Sequence, residues 1–321
     1  MVDISERRPA DRSRLLPELR SMLEAADAEK AAPMHELSAA EARRQAEIQI
    51  PALWGDSDEV QATEDLAIPV AAGDIKARLY RWRDSADIIL FFHGGGWVLG
   101  SVETHDGAVR ALARSAAANV LSVEYRKAPE APYPAAIDDA EAALRWLCAI
   151  GPSKGLSVDR IIVAGDSAGA TISAVLALRA REKQISLAGQ VLIYPATDLG
   201  GRSESRALFA SGFFLDQKTM DWYVGHYLSG GANPNDPGVS PLHAADLSGL
   251  APALLVTADH DPLRDEGRAY AQRLIAAGND VCYEEWRGVT HGFFNMDRNT
   301  PQARLLSARI GSWVNQIWSR R

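Results

Sequence analysis

Six short apolar runs restrict the fold of this chain more than any other feature: Ile88–Phe92, Val120–Val123, Ile161–Ala164, Gln190–Tyr194, Ala253–Thr257 and Val281–Trp286. Runs of this length, bounded by turn residues, are the pattern of strands buried on both faces. Helical stretches separate most of them, at Ala108–Ala117, Ala135–Leu147, Ala168–Lys183 and Asp265–Ala277. Pro134 suits a first helical turn and Gly278-Asn279 a helix stop. Strand and helix in alternation predict an α/β sheet, mostly parallel, with helices on both faces.

Before these runs the period differs. Glu64–Val70 and Ile75–Trp82 alternate apolar and polar residues around Ala72-Gly73-Asp74, which predicts an antiparallel hairpin and brings the sheet to about eight strands. Up to about Ile50 the chain reads as helix, rich in Ala, Glu, Arg and Leu, with a break at Pro33. Between Tyr194 and Ala253 the rhythm fails. That stretch carries Phe209, Phe213, Phe214, Trp222, Tyr223 and Tyr227 and is too long for an ordinary loop. Its first part, residues 198–235, is expected to be an insertion packed over the end of the sheet, or a peripheral helical hairpin with no role beyond packing. The expected division is 1–50 and 198–235 as a helical cap, with 51–197 and 236–321 as the two parts of one α/β domain. A chain of 321 residues, 47% of them hydrophobic, can bury a core of that size.

Ile161-Ile162-Val163-Ala164-Gly165-Asp166-Ser167-Ala168-Gly169 is the most informative segment. Gly-x-Ser-x-Gly alone is weak, because any glycine-rich turn can supply it. Here a buried strand leads in and an alanine-rich helix leads out. A sharp strand-to-helix turn strains its central residue, and flanking glycines spare it collisions across the turn. The Ser167 hydroxyl would then project beside a helix N-terminus, where free amides favour negative charge.

His93-Gly94-Gly95-Gly96-Trp97 follows directly on the run Ile88–Phe92. Three consecutive glycines cost conformational entropy, so backbone without side chains is needed there. Donating amides to the oxyanion of a tetrahedral intermediate is such a need, and the amide of Ala168 would complete the hole. Phosphate cradling is the rival use, but neither Gly-Lys-Ser/Thr nor a GxGxxG follows. His93 is expected to fix the glycine loop rather than to shuttle protons.

A serine nucleophile needs a base, and the base an orienting carboxylate. Of seven histidines, His291, in Gly288-Val289-Thr290-His291-Gly292-Phe293, follows the last strand with flanking glycines, where active sites of open parallel sheets gather. Asp259, Asp261, Asp265 and Glu266 all follow the preceding strand, in the order Ser, Asp, His expected for this fold. The residues alone do not choose among the four.

With these segments assembled, the chain resembles bacterial members of the hormone-sensitive-lipase-like branch of the α/β-hydrolase esterases. The likeness rests on His93–Trp97, Tyr125-Arg126-Lys127-Ala128-Pro129-Glu130, Gly165–Gly169, Asp261-Pro262-Leu263-Arg264-Asp265-Glu266-Gly267 and His291-Gly292-Phe293, in the family's order from about Leu66 onward. The resemblance implies Asp261 as the triad acid, beside Ser167 as nucleophile and His291 as base. It implies Gly95, Gly96 and Ala168 as oxyanion-hole donors. Asp166, in the subgroup with Asp before the serine, would be structural, bonding within the elbow. The Tyr125–Glu130 stretch would be structural too. A cap is implied, with Phe213 and Phe214 lining an acyl pocket. The implied activity is hydrolysis of short- to medium-chain carboxylic esters, without metal or organic cofactor. An amidase, a lactonase or an acyltransferase would use the same triad. Some relatives are receptors that have lost catalytic residues, but Ser167, Asp261 and His291 are all present here. Relatives often associate, so a homodimer is a further expectation.

Composition excludes other classes. A net charge of −8 argues against nucleic acid, and Asp3, Glu6 and Asp11 dilute the basic cluster of Arg7, Arg8, Arg12 and Arg14. Cys148 and Cys282 stand alone, as buried thiols of a reducing compartment would. Met1–Arg20 has no apolar core of a signal peptide, and no apolar run spans a bilayer or suggests a docking surface for an interfacial lipase. A cytoplasmic protein without stable membrane association is expected.

Overall fold

A computed structural model describes residues 11–29 and 32–320. The first ten residues, with Arg7, Arg8 and half of the segment read for a signal peptide, lie outside the described residues. In chain order the elements are α1 (Pro17–Glu29), α2 (Ala39–Ala52), β1 (Ala62–Val70), β2 (Gly73–Arg81), β3 (Ile88–Phe92), α3 (Asp106–Ala116), β4 (Asn119–Val123) and α4 (Ala135–Ile150). Then follow β5 (Ile162–Asp166), α5 (Ala168–Glu182), β6 (Gly189–Ile193), α6 (Glu204–Leu208), α7 (Gln217–Tyr227), β7 (Ala253–His260), α8 (Arg264–Ala276), β8 (Val281–Thr290) and α9 (Gln302–Ser319).

The eight strands form one sheet in the order β1-β2-β4-β3-β5-β6-β7-β8. The hairpin β1–β2 is antiparallel and joins β4 antiparallel; the rest of the sheet is parallel. Successive side chains of a strand point to opposite faces, and the core divides accordingly. Ile89 and Phe91 of β3 join α3 and α9 on one face, whereas Ile88, Leu90 and Phe92 join α4 and α5 on the other. Both faces are therefore dry, which is why these runs carry no polar alternation.

Two strands run past their apolar segments. β7 continues to His260 and β8 to Thr290, with a register shift at Ala258/His260 after which His260 pairs with Thr290. Asp259 and Gly288 interrupt the apolar pattern but stay in the structure, because the Gly288 amide donates to the Asp259 carboxylate at 2.8 Å. Asp261 and His291 thus follow immediately on the ends of two adjacent strands.

The N-terminal helices and the segment between β6 and β7 pack on one another. Leu15 and Leu23 share a cluster with Phe209 and Phe213. His35 Nδ1 lies 3.3 Å from Thr219 Oγ1. From α2, Arg43 donates to the carbonyls of Val98 and Ala128 at 2.8 and 2.6 Å and pairs with Glu130. Among the described residues no helix is long and apolar enough to cross a membrane.

Candidate active site

β5 ends in the sharp turn that the glycine pattern predicts. Ser167 has φ 53° and ψ −120°, a strained conformation for a residue with a side chain, and its amide donates to Ile193 O at 2.8 Å. A Cβ on Gly169 would collide with the carbonyl oxygen of Phe92, and one on Gly165 with the Gly169 backbone. Strand β3 can therefore lie against the first turn of α5 only while both positions lack side chains.

His291 bridges two groups. Its Nε2 is 2.8 Å from Ser167 Oγ, and its Nδ1 is 2.7 Å from Asp261 Oδ2. A carboxylate oxygen accepts, so Nδ1 carries the hydrogen and Nε2 presents its lone pair to the serine hydroxyl. Asp261 is wholly buried, and its other oxygen accepts from the Leu263 amide at 2.8 Å. The Tyr194 ring braces the imidazole, with centroids 4.7 Å apart.

The other three carboxylates are engaged elsewhere. Asp259 accepts from His260 and from the Gly288 amide. Asp265 accepts from the Ser205 amide and Arg264. Glu266 accepts from the Thr197 and Asp198 amides and Arg206. Geometry separates what spacing could not.

The glycine loop lies over the same spot. Gly95 has φ 117° and Gly96 φ 60°. The Gly95 carbonyl accepts from the Val98 and Leu99 amides, whereas the amides of Gly95 and Gly96 donate to no acceptor among the described residues. Ala168 opens α5, so its amide precedes the first intrahelical bond. Three unspent donors thus belong to the segments flanking Ser167.

Asp166 bonds outside the elbow rather than within it. Its carboxylate accepts from the Gly94 amide at 2.9 Å and lies 3.3 Å from His105 Nε2, 3.4 Å from Asn295 Nδ2 and 3.5 Å from the Tyr194 hydroxyl. Burial pushes this carboxyl up, but His105 and the Gly94 amide outweigh it and hold it below its ordinary value. The residue before Ser167 is thereby tied to the glycine loop. His93 is buried, stacks on Tyr125 at 4.3 Å and directs Nδ1 to the Gly94 carbonyl; burial pushes its imidazole well down.

Phe213 and Phe214 part company. Phe213 is buried with Phe209, Leu15 and Leu23 and stacks on His260, inside the contact between the N-terminal helices and the insertion. Phe214 has φ 75° and is 53% exposed. Its ring would meet a Cβ on Gly292 at 3.1 Å, beside His291. His105, Asn295, Tyr194 and Tyr223 escaped the sequence reading as parts of the site; Tyr223 belongs to the aromatic run that marked the insertion. An open groove of about 540 Å³, lined by Gln61, Arg81, Trp82 and Asn119 among others, lies at the opposite ends of the parallel strands and includes none of these residues. Among the described residues no three His, Cys, Asp or Glu side chains are grouped to hold a metal.

Sheet order, elbow and glycine loop define an α/β hydrolase, and the alpha/beta hydrolase fold family matches residues 89–295. The carboxylic ester hydrolase LipN of Mycobacterium tuberculosis is 44% identical over 254 residues, 76% of this chain and 67% of that protein. An ethyl acetate hydrolase of Pseudomonas putida is 38% identical over 294 residues, 88% of this chain and 92% of its own. Among solved structures, an α/β hydrolase enzyme from the metagenome of Lake Arreo superposes with a TM-score of 0.92 at 37% identity, covering 95% of this chain and 99% of that one. A hyperthermophilic esterase of the archaeon Pyrobaculum calidifontis gives 0.89 at 37% identity, with coverages of 95% and 99%. The chain belongs to the α/β-hydrolase superfamily, in its hormone-sensitive-lipase-like branch.

Proposed function

We propose that this protein hydrolyses carboxylic esters of short to medium acyl chains, with Ser167 as nucleophile, His291 as general base and Asp261 as its orienting acid. The observation that carries the reading is the bridge made by His291, 2.8 Å from the serine hydroxyl and 2.7 Å from a buried carboxylate, beside unspent amides. Relatives named as ester hydrolases support it.

The reaction follows from the geometry. The Ser167 hydroxyl passes its proton to Nε2 as Oγ attacks the ester carbonyl carbon. The carbonyl π pair moves onto oxygen, and the amides of Gly95, Gly96 and Ala168 receive that charge. Nε2 then protonates the alkoxide, which leaves as the alcohol, and an acyl-serine remains. Water, deprotonated at Nε2, attacks the acyl carbon; the acid departs and the proton returns to Oγ. Asp261 holds the tautomer throughout and stabilises the imidazolium. No step calls for a cofactor. Phe214, exposed beside Gly292, forms part of the acyl wall, whereas Phe213 supports the cap beneath it.

The N-terminal helices and residues 198–235 together act as that cap. The free thiols of Cys148 and Cys282 suit the cytoplasm. A homodimer would have available to it the outer edge of β8, which no other described strand pairs.

The test is hydrolysis of p-nitrophenyl esters from acetyl to dodecanoyl, with Ser167→Ala alongside. Turnover should peak at short or medium chains and fall roughly 10³-fold or more in the variant. A folded wild-type protein that hydrolyses none of the series refutes the reading.

A further inference from the structure

Helix α7 carries Tyr223 and Tyr227 four residues apart, hence on one face. That face meets the glycine loop at two consecutive residues. Tyr227 stacks on Trp97 with ring centroids 4.3 Å apart and planes 9° from parallel. Tyr223 fills the space a side chain on Gly96 would need: a Cβ there would run into its Cγ, Cδ1 and Cδ2.

Gly96 and Trp97 are also the loop residues least able to hold themselves. Both have positive φ, 60° and 61°, which is unfavourable for a tryptophan unless its surroundings impose it. Among the described residues one hydrogen bond restrains the pair from outside the loop, from the Ala128 amide to Trp97 O at 2.9 Å. The Trp97 indole nitrogen is buried without a partner, and the Gly96 amide donates to no acceptor among the described residues. Beyond the turn bonds from the Val98 and Leu99 amides to Gly95 O, aromatic packing from the insertion is what presses on these two residues. The helix itself is anchored, since the Tyr133 amide donates to Tyr227 O at 2.9 Å and Asp216 caps its first turn through the Thr219 amide at 2.6 Å.

We propose that Tyr223 is a positioning residue for the oxyanion hole: its ring fixes the direction of the Gly96 amide, with Tyr227 steadying the next residue through Trp97. This rests on the ester-hydrolase reading above. The division of labour is sharp, because Ser167, Asp261 and His291 follow directly on the ends of β5, β7 and β8 of the sheet. Loosening α7 leaves the proton-transfer chain intact and slackens the donor that receives the negative charge. A group felt in that way acts on the transition state more than on bound ester.

The experiment compares Tyr223→Ala and Tyr223→Phe on a small acetyl ester. Burial and the charge of Asp216, rather than a hydrogen bond, act on the Tyr223 hydroxyl, so phenylalanine keeps the contact with Gly96. Tyr223→Ala should lower kcat about tenfold, less than the 10²–10³ lost when an oxyanion donor is deleted outright. KM should change by less than about twofold, as for an interaction made in the transition state. The pH profile of kcat/KM should not move, because the hydrogen-bonded chain from Ser167 to Asp261 is left as it is. A trifluoromethyl ketone, whose serine adduct carries the same oxyanion, should inhibit more weakly by about the factor lost in kcat/KM. Tyr223→Phe should rescue most of the rate. If Tyr223→Ala does not fold by circular dichroism, Tyr223→Leu takes its place under the same expectations.

An unimpaired kcat, a loss confined to KM, or a Phe variant as damaged as the Ala variant overturns the proposal. Ser167→Ala run alongside separates the two levels. Full activity there refutes the Ser167 mechanism on which the proposal rests, whereas an inactive Ser167→Ala beside an unimpaired Tyr223→Ala refutes only the role of Tyr223.

Discussion

Replacing Asp261 by Asn changes a single atom in a place where the structure leaves it two bad choices. The two carboxylate oxygens accept one bond each, from His291 Nδ1 at 2.7 Å and from the Leu263 amide at 2.8 Å. Asparagine offers one oxygen and one NH2. With oxygen toward His291, the NH2 faces the Leu263 N–H, and the side chain, fully buried, has no water to relieve it. An unsatisfied buried donor costs about 1–3 kcal/mol. With oxygen toward Leu263, every bond is satisfied, but NH2 now donates to Nδ1. The imidazole hydrogen moves to Nε2, which then donates to Ser167 instead of accepting its proton. The protein takes the second choice, so it folds and does not work. The orientation penalty alone removes a factor of about 5–150. Loss of the charge that stabilises the imidazolium removes the rest, to about 10⁴-fold in kcat, or about 5.4 kcal/mol. The assay is steady-state hydrolysis of p-nitrophenyl butyrate near neutral pH, paired with a thermal melt. A loss under about tenfold would refute the reasoning, and so would Asp259→Asn or Asp265→Asn proving the crippling change.

Gly169→Ala would set a methyl 2.6 Å from His93 O and closer still to Phe92 O, both backbone atoms that cannot swing aside. It should destabilise by about 1–3 kcal/mol, and an unchanged urea midpoint would refute the packing argument. Asp166 has a folded pKa below its ordinary 3.8, so its stabilisation is present above that value and lost as pH falls through the folded one. Asp166→Asn should therefore be less stable at neutral pH, and its gap in Tm from wild type should shrink on acidification below about 3.8. A gap constant with pH would show that charge is not responsible. Phe214→Ala should lose more kcat/KM on hexanoyl than on acetyl esters, by about 1–3 kcal/mol of lost apolar contact. Equal losses on both would remove Phe214 from the acyl wall.

Much of this architecture was legible because it follows from burial. Ile88–Phe92 coincides with β3, and the alternation around Gly73 with the β1–β2 hairpin. The turn that carries Ser167 was legible for the same reason: glycines at 165 and 169 are demanded by backbone approach, and such demands leave a pattern. The acid was not. Four carboxylates follow Ala258 within eight residues, and what sets Asp261 apart is its 2.7 Å contact with His291, a tertiary contact that leaves no mark in residue type. The ends of β7 and β8 were read too short because Asp259 and Gly288 look like loop residues, although they bond to each other inside the structure. Phe213 and Phe214 were indistinguishable in sequence, since adjacent aromatics separate only when a left-handed Phe214 turns one inward and the other out. The contact of α7 with Gly96 was equally hidden: periodicity shows that a helix exists, not which loop it covers.

The Arg43 fastening has a consequence of its own. Its guanidinium joins the first helices to Val98 and Ala128, just beyond the glycine loop, while the backbone connection between α2 and β1 lies far along the chain from both. A protease cut in that connection would make the enzyme a two-piece assembly, held by hydrogen bonds and side-chain packing instead of by a peptide bond. Its turnover would then depend on dilution, as a binding equilibrium does. The same property makes this junction a natural place to divide the protein into complementing halves.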